Sequence, residues 1–146
     1  MPRPTRRVRS GRALLGALLL LSAASCDGMA WPEDEQDPDV LETREGLASF
    51  YGKADHGDET ASGRTFDMNA LVAAHPTYPF GTRVRVVNLE NGRRAIVRIV
   101  DRGPADEPRR EGVIIDVSRR VARDLGFLEE GRIRVRVDVL EWGDEP

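Results

Sequence analysis

Asp101 is the residue of this 146-residue sequence whose type and position most clearly suit it to chemistry. It ends the alternating apolar stretch Arg98-Ile-Val-Asp101 and is followed closely by Gly103 and Pro104. The alternation predicts a strand, and the Gly-Pro pair turns the chain where that strand ends. A carboxylate in such a place is fixed at the surface of a rigid scaffold, which is typical of catalytic and ligand-binding residues. The alternative is that Asp101 only caps the turn, because Asp-Arg-Gly-Pro is good turn chemistry.

The strand that carries Asp101 belongs to a predicted hairpin. Thr82–Asn88 alternates valines with arginines, Asn91-Gly92 is typical of a tight turn, and Arg94–Val100 returns with a similar alternation. Arg132–Leu140 places isoleucine and valines at every second position, which predicts a half-buried strand. Shorter strands are predicted over Leu47–Tyr51, Ala70–His75 and Val113–Asp116.

One helix is predicted over Arg119–Leu125, with Ser118 as its N-cap and Gly126 just past its end. The composition of Ala70–His75 would by itself favour a helix as well. Six short strands with one or two short helices predict an all-β fold, a small closed barrel whose closure protects the strand edges.

The first 25 residues have the features of an export signal. Five arginines precede position 13, no acid occurs before Asp27, and the apolar run Ala13–Ala24 is too short to span a bilayer comfortably. The run ends at Ala24-Ser-Cys26, which resembles a bacterial lipoprotein processing site. We therefore predict a signal peptide over residues 1–25 and lipidation of Cys26. The alternative is ordinary cleavage, with Cys26 incidental.

Residues 26–45 are predicted to form a disordered acidic linker, because Asp27–Glu45 holds eight acids and one arginine. The barrel would occupy residues 46–142, followed by a tail at 143–146. Without residues 1–25 the chain keeps 17 basic and 25 acidic residues, a net charge of −8, so nucleic acid is a poor candidate partner. A single cysteine allows no intramolecular disulfide, and the pattern implies no metal and no organic cofactor.

Motifs between Gly46 and Leu140 resemble, in order and spacing, those of the rare lipoprotein A (RlpA-like) family. The matching stretches are Gly46-Leu-Ala-Ser-Phe-Tyr-Gly52, His56-Gly57, Thr60-Ala-Ser-Gly63, Phe66-Asp67, Ala73-Ala-His75, Pro79-Phe-Gly-Thr-Arg-Val84, Asn88, Asn91-Gly92, Val100-Asp-Arg-Gly-Pro104 and Ile115-Asp-Val-Ser118. The resemblance implies a six-stranded double-psi β-barrel. It also implies an endolytic transglycosylase that cuts peptidoglycan strands stripped of their stem peptides and leaves 1,6-anhydro-muramic acid ends.

The same resemblance implies a place in the bacterial cell envelope, facing the periplasm or the outer surface. Its partners would be glycan strands, the membrane through a lipid on Cys26, and candidate cell-division proteins.

The resemblance implies catalytic roles for Asp101 and His75. A lytic transglycosylase can work with one carboxyl group, which protonates the leaving oxygen and then deprotonates the attacking C6 hydroxyl. We expect Asp101 to be this group and Asp116 to be its neighbour in the groove, as in expansin and cellulase relatives. Asp116 has an equally good alternative role at the helix entry before Ser118. His75 either orients the sugar, holds Asp101 in its working protonation state, or is a buried histidine bonded to a carbonyl.

The family's third catalytic residue, a glutamate after Thr-Ala-Ser-Gly, is replaced here by Arg64. Arg64 either pairs with one of the two aspartates and lowers its pKa, or grips the lactyl carboxylate of muramic acid. Glu59 is a weak candidate for the missing carboxylate. The predicted substrate-binding residues are Tyr51, Arg64, Arg102 and Ser118. The alternative functions are a glycan-binding, wall-loosening module similar to expansins, which has lost its chemistry through Arg64, and a scaffold that recruits a partner.

Overall fold

The structure, a computed structural model, describes residues 39–146 as one closed barrel of six strands. The strands are β1 (Glu42–Phe50), β2 (Val72–Ala74), β3 (Arg83–Asn88), β4 (Arg94–Asp101), β5 (Val113–Val117) and β6 (Ile133–Glu141). Two short helices, α1 (Asp106–Arg110) and α2 (Arg119–Leu125), and a 3₁₀ turn at Lys53–Asp55 complete the fold. Within this part of the chain, no helix has the length and apolar character needed to cross a bilayer.

The order of strands around the barrel is β1-β5-β2-β4-β3-β6. The β1–β5 and β2–β4 pairs are parallel and the other four pairs are antiparallel. Each strand has two neighbours, so the ring leaves no unpaired edge among them. The predicted all-β class, the six-stranded barrel and the β3–β4 hairpin are confirmed.

The core forms where the alternating positions of the strands point inward. Val84 and Val86 of β3 meet Val135 and Val137 of β6 in one buried cluster. Phe127, which follows α2, is fully buried in the same cluster and packs edge-on against Phe50. The period-two pattern therefore identified the inward faces of β3 and β6 correctly.

Helix α2 spans the predicted residues and has the predicted caps. The Ser118 hydroxyl accepts the Val121 N–H, and Gly126 has the left-handed backbone conformation, with φ of 80°. The segment around Ala73 is a strand and not a helix, shortened to Val72–Ala74. Strand partners on both sides, β4 and β5, override the helical preference of its alanines.

Strand β1 begins at Glu42, so the prediction of a disordered linker up to residue 45 was wrong over its last four residues. These residues pair with β6, where Glu42 lies opposite Val139 and Glu45 opposite Arg136. The acidic side chains find partners that composition does not reveal, since Tyr78 donates its hydroxyl proton to Glu42. Cys26, the predicted signal peptide and the linker up to residue 38 lie outside the described residues.

The predicted tail is also tied to the barrel. The Phe80 N–H donates to the Glu145 carbonyl at 2.6 Å, and the Gly143 N–H donates to the Thr82 hydroxyl at 3.0 Å. Gly143 lies so close to this segment that an added Cβ would stand 2.0 Å from the Phe80 carbonyl oxygen. The last residues therefore close over the start of β3.

Candidate functional site

A row of four residues crosses four neighbouring strands at one level of the barrel. Ser49 of β1 pairs with Asp116 of β5, Asp116 pairs with Ala74 of β2, and Ala74 pairs with Asp101 of β4. Residues directly opposite one another in a sheet point to the same face. The two aspartates therefore flank Ala74 on one face, with Cα atoms ~10 Å apart at the usual strand spacing.

Three donors hold the Asp101 carboxylate at the end of β4. The Tyr51 hydroxyl donates to Oδ2 at 2.7 Å, and the N–H groups of Ala61 and Arg102 donate to Oδ1, each at 2.8 Å. The carboxylate remains partly exposed. The strand end and two separate segments of chain thus fix its position, and Oδ2 keeps the capacity to accept another bond from a substrate.

Tyr51 supports Asp101 in a way the sequence did not indicate. Its ring packs on Phe66 with ring centres 4.3 Å apart, and burial raises the pKa of its hydroxyl, as does the bond to Asp101. Tyr51 therefore stays protonated as a donor. The predicted contact of Tyr51 with substrate remains a prediction, and Phe66 already packs against the Tyr51 ring.

Asp116 lies on the same face of the sheet as Asp101 and does not cap the helix. Its Oδ1 accepts the hydroxyl proton of Ser49 across the β1–β5 pair, and Ser118 provides the cap of α2. Burial raises the pKa of Asp116 above its ordinary value, although the bond from Ser49 and the charge of Arg132 oppose this; the nearby Asp101 and Asp55 add smaller upward contributions. A raised pKa suits a carboxyl group that must hold a proton.

The chain passes directly over Asp116 after β4 ends. At Gly103, with φ of 154°, an added Cβ would stand 3.3 Å from Asp116 Oδ2 and 3.4 Å from the Ala74 Cβ. Only a glycine lets the backbone approach so closely in this conformation. The Gly-Pro turn thus forms part of the burial that shifts Asp116.

His75 is a neutral hydrogen-bond donor held in one tautomer. Its Nδ1 accepts the N–H groups of Thr77 and Tyr78 at 3.2 and 3.0 Å, and its ring stacks on Tyr78 at 3.5 Å. Burial, with a smaller contribution from Arg44, lowers the pKa of His75 to about 4. The ring proton of the neutral form must then lie on Nε2.

The Nε2 atom of His75 has no hydrogen-bond partner in residues 39–146, and the residue is buried, with 4% of its surface exposed. Every enclosed polar side-chain atom in residues 39–146 has a hydrogen-bond partner, and Nε2 has none in that part of the chain, so it is not enclosed. The expectation of a buried histidine is met, although its partners are backbone N–H groups and not a carbonyl. The ring offers one N–H to a ligand.

Arg102 and Ser118 donate hydrogen bonds to backbone carbonyls of other segments of the barrel. Arg102 Nη1 donates to the Tyr78 carbonyl at 2.7 Å, and the guanidinium lies 3.9 Å above the Phe80 ring. Ser118 is 0% exposed, and its hydroxyl donates to the Ala70 carbonyl at 2.6 Å. Arg102 clamps the loop behind His75, and the burial of Ser118 argues against its predicted contact with substrate.

Arg64 lies outside the row of aspartates. Its side chain is exposed, and within residues 39–146 no ion pair joins it to Asp101 or Asp116. The predicted pairing with an aspartate is therefore not seen. Arg64 instead lines a cavity of about 170 Å³ together with Arg98 and Trp142. Glu59 is exposed and its backbone pairs with Thr65.

Sequence reasoning missed Ser49 and Asp55. Ser49 lies in β1 and Tyr51 directly follows its end, two positions later, which was the available signal that both side chains point to the same face. Asp55, in the 3₁₀ turn, acts on the pKa values of Tyr51 and Asp116 through its charge, and no sequence pattern indicated its proximity. Within residues 39–146, no three His, Cys, Asp or Glu side chains are grouped to hold a metal ion.

The family described as lytic transglycolase matches residues 43–137 of this sequence, which is more than half of the chain. The chain belongs to the lytic transglycolase family. This match includes all four residues of the row, Ser49, Asp116, Ala74 and Asp101. The likeness stated from the motifs alone is thus confirmed at the level of the family.

Several curated relatives carry the name endolytic peptidoglycan transglycosylase RlpA. The protein of Neisseria meningitidis is 46% identical over 101 residues, which cover 69% of this chain and 41% of that protein. The protein of Campylobacter jejuni is 42% identical over 104 residues, covering 71% and 36%. The Synechocystis protein, named as probable, is 48% identical over 96 residues, covering 66% and 29%. This lytic transglycolase chain spans less than half the length of each.

Two solved structures share the fold at low sequence identity. A Streptomyces papain inhibitor superposes with a TM-score of 0.55 and 22% identity, covering 70% of this chain and 97% of that one. The expansin of Clavibacter michiganensis gives 0.54 and 19%, covering 72% and 54%. With the family match, these likenesses confirm the predicted double-psi β-barrel.

Proposed function

We propose that this barrel is the catalytic domain of an endolytic peptidoglycan lytic transglycosylase. The observation that carries the proposal is the Asp101 carboxylate, fixed by Tyr51, Ala61 and Arg102 and left partly exposed beside Asp116. The names of the relatives support the substrate, peptidoglycan glycan strands.

In the proposed reaction one carboxyl group transfers a proton in both directions. Asp101 gives its proton to the glycosidic oxygen as the bond from that oxygen to C1 of muramic acid breaks. The C6 hydroxyl oxygen of the same sugar bonds to C1, and its proton passes to Asp101. The products are a strand with a 1,6-anhydro-muramic acid end and a strand with a new free hydroxyl, and no water is consumed.

The neighbouring groups support this step without a second nucleophile. Asp116, whose pKa burial raises, adds a second carboxyl group that favours a protonated groove. His75 offers its Nε2–H as a neutral donor, which suits a sugar hydroxyl or an acetamido carbonyl. Tyr51 keeps Asp101 oriented throughout, because its own hydroxyl stays protonated.

The test is cleavage of purified glycan strands that lack stem peptides, with mass spectrometry of anhydro-muramic acid ends. Asp101→Asn keeps the size and the acceptor oxygen but cannot exchange the proton, so we expect product formation to fall by ~100-fold or more. Asp124→Asn, at an exposed position on α2, is the matched control and should cleave like the wild type. Undiminished cleavage by Asp101→Asn would contradict the assignment.

A second candidate function is a glycan-binding module without turnover. Arg64 favours it, because a cation stands where the resemblance implies a catalytic glutamate. The same experiment separates the two functions. Strands that co-sediment with the wild-type protein and remain intact would support the binding module, and anhydro ends that disappear with Asp101→Asn would support the enzyme.

We also propose that the domain acts in the cell envelope, held to a membrane by a lipid on Cys26. The wall-directed names of the relatives support the envelope, and the Ala24-Ser-Cys26 sequence supports the lipid. Metabolic labelling with radioactive palmitate tests the anchor, since label should enter the wild-type protein and not Cys26→Ser. Cell-division proteins are candidate partners at this location.

A further inference from the structure

A small cavity lined by Arg64 lies close to the segment that holds Asp101. It is open to one side and has a volume of about 170 Å³, and its lining includes Ser62, Arg64, Arg98, Val100 and Trp142. Ser62 follows Ala61, which holds Asp101, and its own N–H donates to the Val100 carbonyl at 3.3 Å. The cavity therefore adjoins the segment that fixes the catalytic carboxylate.

Two guanidinium groups in this cavity have no ion partner in the described part of the chain. Arg98 lies opposite Arg83 across the β3–β4 pair, an arrangement of like charges that costs folding free energy. Glu141 compensates Arg83 at 3.3 Å, which leaves Arg98 and Arg64 unpaired within residues 39–146. Uncompensated arginines around a concave space are suited to an anion with oxygen atoms.

Trp142 adds an aromatic face to the same cavity. It is 41% exposed, and it contacts Tyr78 only edge-on, with ring centres 5.2 Å apart. Exposed aromatic rings with one polar end commonly bind amphipathic ligands such as sugars. The cavity is smaller than the roughly 300 Å³ usual for a drug-sized ligand, so it can take one substituted sugar unit and not a strand.

Acidic side chains also line the cavity and limit its preference for anions. Asp144 and Glu145 are exposed, and neither forms an ion pair with Arg64 or Arg98 in the described part of the chain. With Glu141, which also lines the cavity, they set three acidic side chains against the two arginines, so the arginines would select a carboxylate through direct bonds and not through long-range attraction.

We propose that Arg64, Arg98 and Trp142 bind the lactyl group of a muramic acid unit through its free carboxylate. This inference rests on the proposed function, because only a peptidoglycan strand brings that group to the groove. The lactyl carboxylate is free when the stem peptide has been removed, and it is an amide when the peptide is present. The cavity would then distinguish strands without stem peptides from strands that carry them. Arg64 would serve this recognition at the position where the resemblance implies a glutamate.

The test compares two soluble glycan oligosaccharides of equal length by titration calorimetry. One carries free lactyl carboxylates, and in the other these groups have been reduced to alcohols. We expect the wild-type protein to bind the first about five times more tightly, the range of a partly exposed ion pair, with the ratio falling at high salt. Arg64→Gln and Arg98→Gln should each bring the ratio close to one. Arg64→Lys should keep part of it, since the charge remains without the guanidinium fork.

Arg110→Gln, at an exposed site on α1, is the control and should keep the wild-type ratio. Trp142→Ala should weaken both ligands alike, because the ring contacts the sugar and not the carboxylate. Equal wild-type affinity for both oligosaccharides would overturn the cavity's role and leave the glycan groove standing. A ratio that survives in both Gln variants would place carboxylate recognition elsewhere. Binding of neither oligosaccharide would overturn the proposed function as well.

Discussion

At the scale of single residues, the site combines two carboxyl groups with donors that cannot ionise at neutral pH. Tyr51 has a raised pKa and His75 has a lowered one, so each keeps its proton on the atom that donates. In the proposed reaction, proton exchange is therefore left to Asp101 and Asp116. His75 differs in this respect from a general base, which needs a pKa near the working pH.

The lowered pKa of His75 predicts how stability depends on pH. This pKa falls from the ordinary histidine value of 6.5 to about 4 in the folded protein, because the charged ring is poorly solvated there. Between these values the unfolded chain binds the proton and the folded chain does not, so stability rises with pH. The contribution, up to ~3 kcal/mol, is complete above pH 6.5 and is lost as the pH falls towards 4.

Urea unfolding between pH 4 and pH 8 measures this contribution as the difference between the wild type and His75→Asn. Asparagine has no proton to gain, while its Oδ1 can accept the same backbone N–H groups. The difference in unfolding free energy should grow with pH across the window. Asp116, whose pKa is raised, makes stability fall as the pH rises, but it does so in both proteins and therefore cancels in the difference. His56→Asn controls for the loss of an imidazole, and parallel curves for the wild type and His75→Asn would contradict the prediction.

At the scale of elements, α2 depends on one buried hydroxyl. Ser118 donates to the Ala70 carbonyl and accepts the Val121 N–H, so it joins the helix to the segment before β2. Ser118→Ala removes the cap and leaves a carbonyl unsatisfied, and we expect ~1–2 kcal/mol of destabilisation. Urea unfolding measures the loss, with Thr65→Ala as a matched exposed control. A higher KM for glycan strands at unchanged stability would instead restore the predicted substrate contact.

The elements that could be predicted are those whose own sequence carries the signal. β6 alternates over its whole length, Asn91-Gly92 sets the β3–β4 turn, and Ser118 and Gly126 bound α2. The starts of β1 and β2 could not be predicted, because their limits depend on partners distant in sequence. Glu42 belongs to a strand because Val139 of β6 lies opposite it, and Tyr78 donates a hydrogen bond to its side chain.

The site residues divide in the same way, into those marked by their own sequence and those whose place depends on distant partners. Asp101, Asp116 and His75 stand in motifs, and their places at strand ends followed from the sequence. The contacts of Ser49 and Tyr51 required the register between β1, β5 and β4, which depends on closure of the ring. Asp55 and Arg64 lie on the long connection between β1 and β2, whose path carries no periodic signal.

At the scale of the whole molecule, closure of the barrel joins the chain's N-terminal strand to the loop that carries His75. Residues Glu42–Glu45 pair with β6 and close the ring beside β3. Glu42 accepts the Tyr78 hydroxyl at 2.8 Å, and this bond, with Arg44, lowers the pKa of Glu42. Tyr78 in turn stacks on His75, so the start of β1 supports the imidazole ring that we propose as a donor to the substrate.

Removal of the start of β1 should therefore affect both stability and activity. A protein that begins at residue 39 keeps all these contacts and serves as the reference, and one that begins at Gly46 lacks them. The shorter protein loses the bonds of Thr43 to the buried Asp138 and of Tyr78 to Glu42, together with backbone pairs to β6. We expect ~3 kcal/mol less stability in urea unfolding, from two side-chain bonds at about 1 kcal/mol each and the lost pairing.

The truncation could slow cleavage by unfolding the protein or by leaving His75 poorly positioned. Cleavage measured per folded molecule separates these two effects. At a temperature where both proteins are folded, the shorter one should cleave denuded strands more slowly, because Tyr78 no longer fixes the imidazole. Glu42→Gln is the finer variant, since its amide oxygen still accepts the Tyr78 hydroxyl while the charge near His75 is lost. It should cleave almost as fast as the reference if orientation of the ring matters more than that charge. Equal rates for the proteins that begin at residues 39 and 46 would show that the β1 start stabilises the barrel without positioning His75.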